Sequence, residues 1–280
     1  MTIRPVDSKI RCAGALVAVL LAGSAVTAHA ADLDDQSWLR GTFEDAPTYS
    51  RWDGLQAGAQ IGISNLNSDF ANADSSQVAY ILRNTTLENE FSPSAWTTLP
   101  KGTTNGGQYG GFIGYNMQWD RLVLGGDISY NSMRSLQGSS SDSIDRIVNT
   151  TDGVQHDVLI QSSASIKLLD YATFRGRAGY AFGQFLPYAV LGVAVGRFDY
   201  SSSATVTDHM SGAQTGTFQQ SATDGRDNVF AAGFVTGLGL DVALLPNVFL
   251  RGEWEYTVFA PVNGIRSWLN TGRVGLGVRF

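Results

Sequence analysis

Two histidines, His156 and His209, stand among Asp157, Asp208 and the serines Ser162, Ser163 and Ser211. These are the residue types from which a nucleophile with its base, or a metal site, can be built. Their placing argues against both. The histidines fall in different polar stretches, away from any alternating segment, and serine is so frequent there that one lying near a histidine carries no weight. No catalytic residue and no metal ligand is assigned. The glycine pairs Gly237/Gly239 and Gly275/Gly277 would suit a phosphate loop only if a helix followed to offer its N-terminal N–H groups. None does, so no cofactor is expected and the glycines are read as inward positions where a narrow interior needs space. The sequons at Asn84 and Asn149 are what Thr-rich segments produce by chance, and no modification is assigned to them.

A second set of charged residues is periodic. Asp127, Arg175, Arg177, Asp241, Arg251, Glu253, Glu255, Arg273 and Arg279 share one parity within their segments, while Leu124, Ile128, Phe174, Tyr180, Phe234, Leu238, Leu240, Leu250, Trp254 and Val258 hold the other. The final stretch TGRVGLGVRF repeats the pattern, with Val274, Leu276, Val278 and Phe280 alternating with Arg273, Gly275, Gly277 and Arg279. Successive side chains on a strand point to opposite faces, so each segment has a greasy face and a charged or bare one. In a soluble sandwich the greasy face would be buried and the charges exposed; in a membrane barrel the greasy face meets lipid and the charges are enclosed.

Eight segments carry the alternation: Trp52–Ser64, Gln108–Trp119, Leu122–Asn131, Tyr171–Gly183, Leu186–Tyr200, Val229–Leu245, Val248–Phe259 and Trp268–Phe280. Each is near the ~10 residues that cross a bilayer when tilted. Their connections alternate between tight turns (Trp119-Asp120-Arg121, the residues around Gln184, Leu245-Pro246-Asn247) and long polar stretches, including Asn65–Asn105 and Ser132–Lys167. Only Ala260–Ser267 is short on the long side, and Val78–Phe91 is the one stretch able to form a short helix. The expected fold is all-β: an eight-stranded antiparallel up-and-down transmembrane β-barrel, with long extracellular loops and short periplasmic turns.

Within that barrel, Asp127, Arg177, Glu253 and Arg273 lie at similar distances from the turn ends. They are expected to form a lumen charge cluster with Arg175, Arg251 and Glu255, because buried acids and bases must compensate one another. Eight strands enclose room for side chains, not an open channel. Aromatics at strand ends, Trp119, Tyr188 and Phe280 at the turn side and Tyr109, Tyr130, Phe198, Tyr200 and Trp268 at the loop side, are expected to form two interfacial girdles.

The remaining chain is read as targeting. Residues 1–30 join a basic region (Arg4, Lys9, Arg11) to an apolar stretch, Ala13 to Val26, and a small-x-small site, Ala28-His29-Ala30, which is the pattern of an exported signal peptide cleaved before Ala31. Residues 31–50 form an acidic periplasmic lead-in, and residues 51–280 the barrel. The single cysteine, Cys12, leaves with the signal, so stability without disulfides is expected. The formal charge of −6, made more acidic by cleavage, excludes nucleic acid as a partner. No apolar run of ~18 residues follows the leader, so no membrane-spanning helix is expected. Abundant glycine (32), scarce proline (7) and low charge (16%) are unusual for a chain surrounded by water.

The ending VGLGVRF resembles the C-terminal aromatic assembly signal of bacterial outer-membrane barrels, with Val274, Leu276, Val278 and Phe280 as its outward row. Gly106–Tyr130 (GGQYGGFIGYNMQWDRLVLGGDISY) and Leu168–Gly196 (LLDYATFRGRAGYAFGQFLPYAVLGVAVG) are similar to the small porin-like, opacity-type outer-membrane protein family, which includes immunogenic surface proteins of host-associated bacteria. The likeness spans nearly all of the chain beyond the leader, and the long loops depart from it. It implies a non-enzymatic protein of the cell outer membrane that serves envelope integrity and surface interaction. Its partners would be outer-membrane lipid and lipopolysaccharide, the barrel-assembly machinery, and a host or environmental ligand at the loops. The alternative is a narrow porin for small solutes; a lipid-modifying enzyme ranks behind both.

Overall fold

The alternation becomes continuous antiparallel pairing in the computed structural model, which describes residues 51–96 and 99–280. The expected signal peptide and lead-in lie outside the described residues. The order is β1 (Gly54–Asp69), α1 (Ser75–Ile81), α2 (Thr86–Phe91), a 3₁₀ turn (Pro93–Ala95), β2 (Gly102–Trp119), β3 (Leu122–Asn149), β4 (Val154–Tyr180), β5 (Phe185–Gly212), β6 (Gly216–Leu245), β7 (Val248–Val262) and β8 (Ile265–Arg279). Every strand pairs with the next, and β8 pairs with β1 from Arg279 opposite Gln56 to Arg266 opposite Asp69, closing the barrel. Closure leaves no unpaired edge, the condition for a sheet to sit in lipid. The expected all-β, eight-stranded antiparallel architecture is the one observed.

Tight turns join one end. Asp120 takes a positive φ of 51° between β2 and β3, Gly183 one of 59° between β4 and β5. At the other end the connection read as Ala260–Ser267 is only the turn Asn263–Gly264, with φ of 47° and 77°.

Two of the long polar stretches are not loops. β3, β4, β5 and β6 run 28, 27, 28 and 30 residues, far beyond the ~9–11 that span a bilayer. Ser132–Lys167 lies mostly in the β3–β4 ladder, with a bulge between Ser132 and Leu136, and residues 201–228 in the β5–β6 ladder. The physical reason is a half-buried antiparallel sheet with one face in water. On its outer face hydroxyls bond across strands, Ser163 to Ser203 at 2.8 Å, Ser165 to Ser201 at 3.0 Å and Thr205 to Ser221 at 2.9 Å. On its inner face Val158, Ile160, Ala204 and Val206 are buried.

What buries them is the insertion between β1 and β2. Val78, Ile81, Leu82 and Leu87 pack on those four residues as one apolar cluster. The helix expected over Val78–Phe91 is two helices, broken where Asn84 takes φ of 64°. α2 restarts with Thr85 as N-cap, its hydroxyl accepting from the Glu88 N–H at 3.1 Å, and stops at Ser92 (φ 49°) before Pro93. Ser/Thr followed three residues later by Glu is the capping-box spacing.

Candidate functional site

Parity decides which side chains enter the barrel. Leu124, Ile128, Phe174, Tyr180, Phe234, Leu238, Leu240, Leu250, Trp254 and Val258 are all exposed on the outside, as are Val274, Leu276, Val278 and Phe280. Asp127, Arg175, Arg177, Arg251, Glu253, Glu255 and Arg273 all point inward and are buried.

Sheet register brings acids and bases directly opposite one another. Asp127 faces Arg175 across β3 and β4, Asp241 faces Arg251 across β6 and β7, and Glu253 faces Arg273 across β7 and β8. Nearer the end with the long hairpins, Arg175 donates to Asp127 (Nε to Oδ1, 2.8 Å), to Glu255 (2.7 Å) and to Glu253. Arg273 donates to Glu255 at 2.7 Å and also to Glu253. Tyr171 donates to Glu255 at 3.2 Å. Nearer the turns, Asp241 accepts from Arg177 at 2.8 Å and from Arg251 at 2.9 and 3.0 Å. Tyr188 links the two groups, its hydroxyl donating to Glu253 at 2.9 Å and its ring lying under the Arg177 guanidinium at 3.9 Å. Arg251 stacks at 4.0 Å on Phe112 and reaches Asp127 at 3.8 Å.

Four carboxylates therefore meet four guanidinium groups, and no side chain among the eight is more than 1% exposed. Arg–carboxylate pairs hold their geometry well because the guanidinium donates from a rigid fork. Apolar layers lie on both sides of the belt. Trp52, Phe112, Val123, Leu186 and Phe249 fill the turn end; Leu66, Phe70, Leu136, Ile166, Leu168, Phe198, Phe259 and Leu269 fill the other. Space for the large rings comes from glycine, since a Cβ at Gly239 would strike the Tyr188 ring and one at Gly277 the Phe249 ring.

Three aromatics do not stand where the girdle expectation put them. Tyr188 and Phe198 are buried inside the barrel, and Tyr200 packs against the inner apolar cluster with its hydroxyl on Asp224 at 3.2 Å. All three share the inward parity of β5, whereas the expectation followed only their height along the strand. Tyr109, Trp119 and Tyr130 are exposed on the outside, and Trp268 shares the outward parity of Val274, with Lys101 5.9 Å from its ring.

Sequence reasoning left Asp241 out of the cluster and expected one level with Arg177 beside Glu253. The direct Asp241–Arg251 pairing across the short Pro246-Asn247 turn was the available signal. His156 and Asp208, read as lying in separate loops, are instead on adjacent strands and paired at 2.7 Å. His209 is on the opposite face, bonded to Thr217 at 2.9 Å.

Residues 16–280 match the family model described as outer membrane protein beta-barrel domain. The chain is 24% identical over 276 residues to the 25 kDa outer-membrane immunogenic proteins of Brucella canis and of Brucella melitensis biotype 1, covering 95% of this chain and 96% of each relative. Among solved structures it is similar to Neisserial surface protein A (12% identity, 81% of this chain and 97% of that one, TM-score 0.39). It is also similar to the outer membrane protein OprG of Pseudomonas aeruginosa (11% identity, 81% and 97%, TM-score 0.34). Built as a closed barrel with an apolar exterior and matched over most of its length by that model, the chain belongs to the outer-membrane protein beta-barrel domain family.

Proposed function

We propose that this outer-membrane barrel is a structural and surface-interaction protein whose lumen is filled and does not conduct. The observation that carries the reading is the neutral belt of four acids and four arginines, buried to within 1% between two apolar layers. An ion entering the bore would have to break several of these pairs at once, and each such break is costly in a desolvated setting. Among the described residues the turn end carries short turns, while the other end carries the long hairpins and the two helices, a folded lobe able to make contacts. The lobe is assigned to the cell exterior, where it would meet lipopolysaccharide and host or environmental ligands. The relatives' name, outer-membrane immunogenic protein, favours a surface role without enzymatic turnover.

Planar-bilayer recording of the refolded protein tests the filled lumen. The expected trace shows no unitary current steps. Reproducible steps that change in size in Glu253→Gln would overturn this reading in favour of a narrow porin. A deletion strain assayed for dye uptake, vesiculation and adhesion tests the envelope and surface role, and wild-type behaviour in all three would reject it.

A further inference from the structure

β6 has a strand on both sides only along its lower part. It pairs with β5 from Val242 out to Gly216, opposite Met210, but with β7 only from Gly233 onward, opposite Phe259. Over Gly216–Arg226 the register with β5 is unbroken, the shift falling just below, between Arg226 and Val229. In an antiparallel ladder every second residue turns its N–H and C=O away from the partner strand, so the far side of this stretch is a row of main-chain donors and acceptors. Among the described residues no hydrogen bond reaches that row. The side-chain bonds of the stretch go to β5 as well: Thr217 with His209 at 2.9 Å, Ser221 with Thr205 at 2.9 Å, and Asp224 accepting from Tyr200 at 3.2 Å.

The sequence does nothing to guard this edge. Proteins blunt free edges with charge, proline, bulges or a covering segment, and Gly216–Thr223 (GTFQQSAT) carries no charge, no proline and no bulge. The opposite edge of the same sheet shows the contrast. β3 loses β2 beyond Arg134, opposite Gly107, and its Leu136–Asn149 stretch has β4 alone as a strand partner. There the Ser140 hydroxyl donates to the Pro100 carbonyl at 2.7 Å, and a Cβ at Gly102 would lie 3.2 Å from the Ser139 carbonyl oxygen. Asp142, Asp145 and Arg146 add charge, with the Arg146 guanidinium 4.9 Å over the Trp96 ring. One edge is covered and charged; the other is bare.

The bare edge selects its occupant. Donors and acceptors alternating at strand spacing are matched in full only by another extended main chain. The two faces of β6 then set the side chains. Thr217, Gln219, Ser221 and Thr223 point outward and are exposed, while Phe218 and Ala222 point inward and pack at the margin of the apolar cluster that α1 joins. An added strand therefore carries polar residues on its outer side and apolar, β-branched ones beside Phe218 and Ala222. A second copy in the same membrane fits poorly: barrel strands tilt by about 35–45°, so those on facing sides of two upright copies cross at roughly 70–90° instead of aligning. We propose that Gly216–Arg226 of β6 is a docking edge that takes an extended segment of another protein as an added strand, its side chains alternating apolar and polar. The proposal deepens the surface-interaction reading and rests on it, because the partner is taken to be a protein outside the cell.

The test uses the full barrel refolded in detergent, with heat-modifiable migration confirming the fold of every variant. A phage-displayed library of random dodecapeptides is panned on it, and the enriched peptides are synthesised. Expected are peptides of alternating apolar and polar residues whose binding slows amide exchange by about tenfold or more at every second residue of Thr217–Arg226, as new main-chain hydrogen bonds require. Gln220→Lys and Ala222→Lys, which place a charge along the edge, should weaken binding by about tenfold or more, while Ser143→Lys on the β3 edge leaves it unchanged. Should either β6 variant misfold, N-methylation of the peptide decides: methyl groups on one alternate set of amides should abolish binding, and on the other set be tolerated. No enriched peptide, protection away from β6, or equal loss with both methylated sets would overturn the proposal. So would protection of the same amides in the peptide-free barrel together with dimers on sedimentation, which would make the occupant a second copy. None of these readouts depends on which end faces outward or on conductance, so failure here is separable from failure of the surface reading.

Discussion

At the scale of single residues, the belt makes unequal demands on its members. Asp241 is the acceptor shared by Arg177 and Arg251, and among the described residues no other carboxylate lies within ion-pair distance of Arg177. Removing that charge leaves a guanidinium buried without compensation, which costs about 3–5 kcal/mol in comparable buried pairs. Asp241→Asn is therefore expected to destabilise the refolded barrel by about that amount, read as a lower urea midpoint in detergent. Glu255→Gln should cost less, because Glu253 stays beside Arg175 and Arg273. A reversed order would show that the belt does not partition as the distances imply. Phe280 poses the opposite case: its backbone N–H closes the barrel on Leu55 at 2.9 Å, but the residue is 77% exposed. Phe280→Asp should scarcely move the urea midpoint of refolded protein, yet should sharply lower the heat-modifiable barrel recovered from outer membranes, the result required if the ring is an assembly signal. Equal recovery of wild type and variant would remove that role.

At the scale of elements, the helices are an accessory to the barrel. Leu87 is 2% exposed against Val158, Ile160, Ala204 and Val206, and a carboxylate forced into that cluster would be desolvated without a partner. Leu87→Glu is expected to release α2 by local opening while leaving barrel pairing intact, so a protease should cut between residues 84 and 99 at least tenfold faster with no loss of heat-modifiable migration. Loss of that migration would mean that the insertion and the barrel fold as one unit. The strand count, closure and facing of most charged residues were legible because alternation is sustained through the membrane-spanning part of each strand, its break between Ala243 and Leu245 falling beyond the last charged residue of β6. The hairpin extensions were hidden for a chemical reason. A strand with water on its outer face and a thin apolar stripe within, such as Ser163 and Ser165 flanking Ala164, has the Ser/Thr composition of a loop. The aromatic error came from one element too: β5 needed a count of parity at Tyr188, Phe198 and Tyr200, where height alone suggested an interface. The His156–Asp208 pair was beyond reach, because it depends on the β4–β5 register more than twenty residues from the turn that sets it, past the bulge between Leu168 and Asp170.

At the scale of the whole molecule, the two ends of the barrel are built differently, and that asymmetry carries the orientation. Among the described residues, one end has the three short turns, with Trp119, Phe182 and Phe185 exposed beside them; the other carries the four strands that extend well past the apolar belt. In barrels of this kind short turns face the periplasm and longer segments the exterior. Asn247 lies between β6 and β7 at the turn end, whereas Ser140 lies in the β3 extension and Ser211 near the end of β5, exposed. The one cysteine, Cys12, falls in the stretch read as a cleaved leader, so an introduced thiol should label over a low background. Cysteine at Ser211 or at Ser140 is expected to react with an impermeant maleimide on intact cells, the first faster because Ser140 is partly covered and donates to the Pro100 carbonyl at 2.7 Å. Cysteine at Asn247 should react only after the outer membrane is permeabilised. Labelling of Asn247→Cys on intact cells, with Ser211→Cys silent until permeabilisation, would turn the barrel over and place the helical lobe in the periplasm.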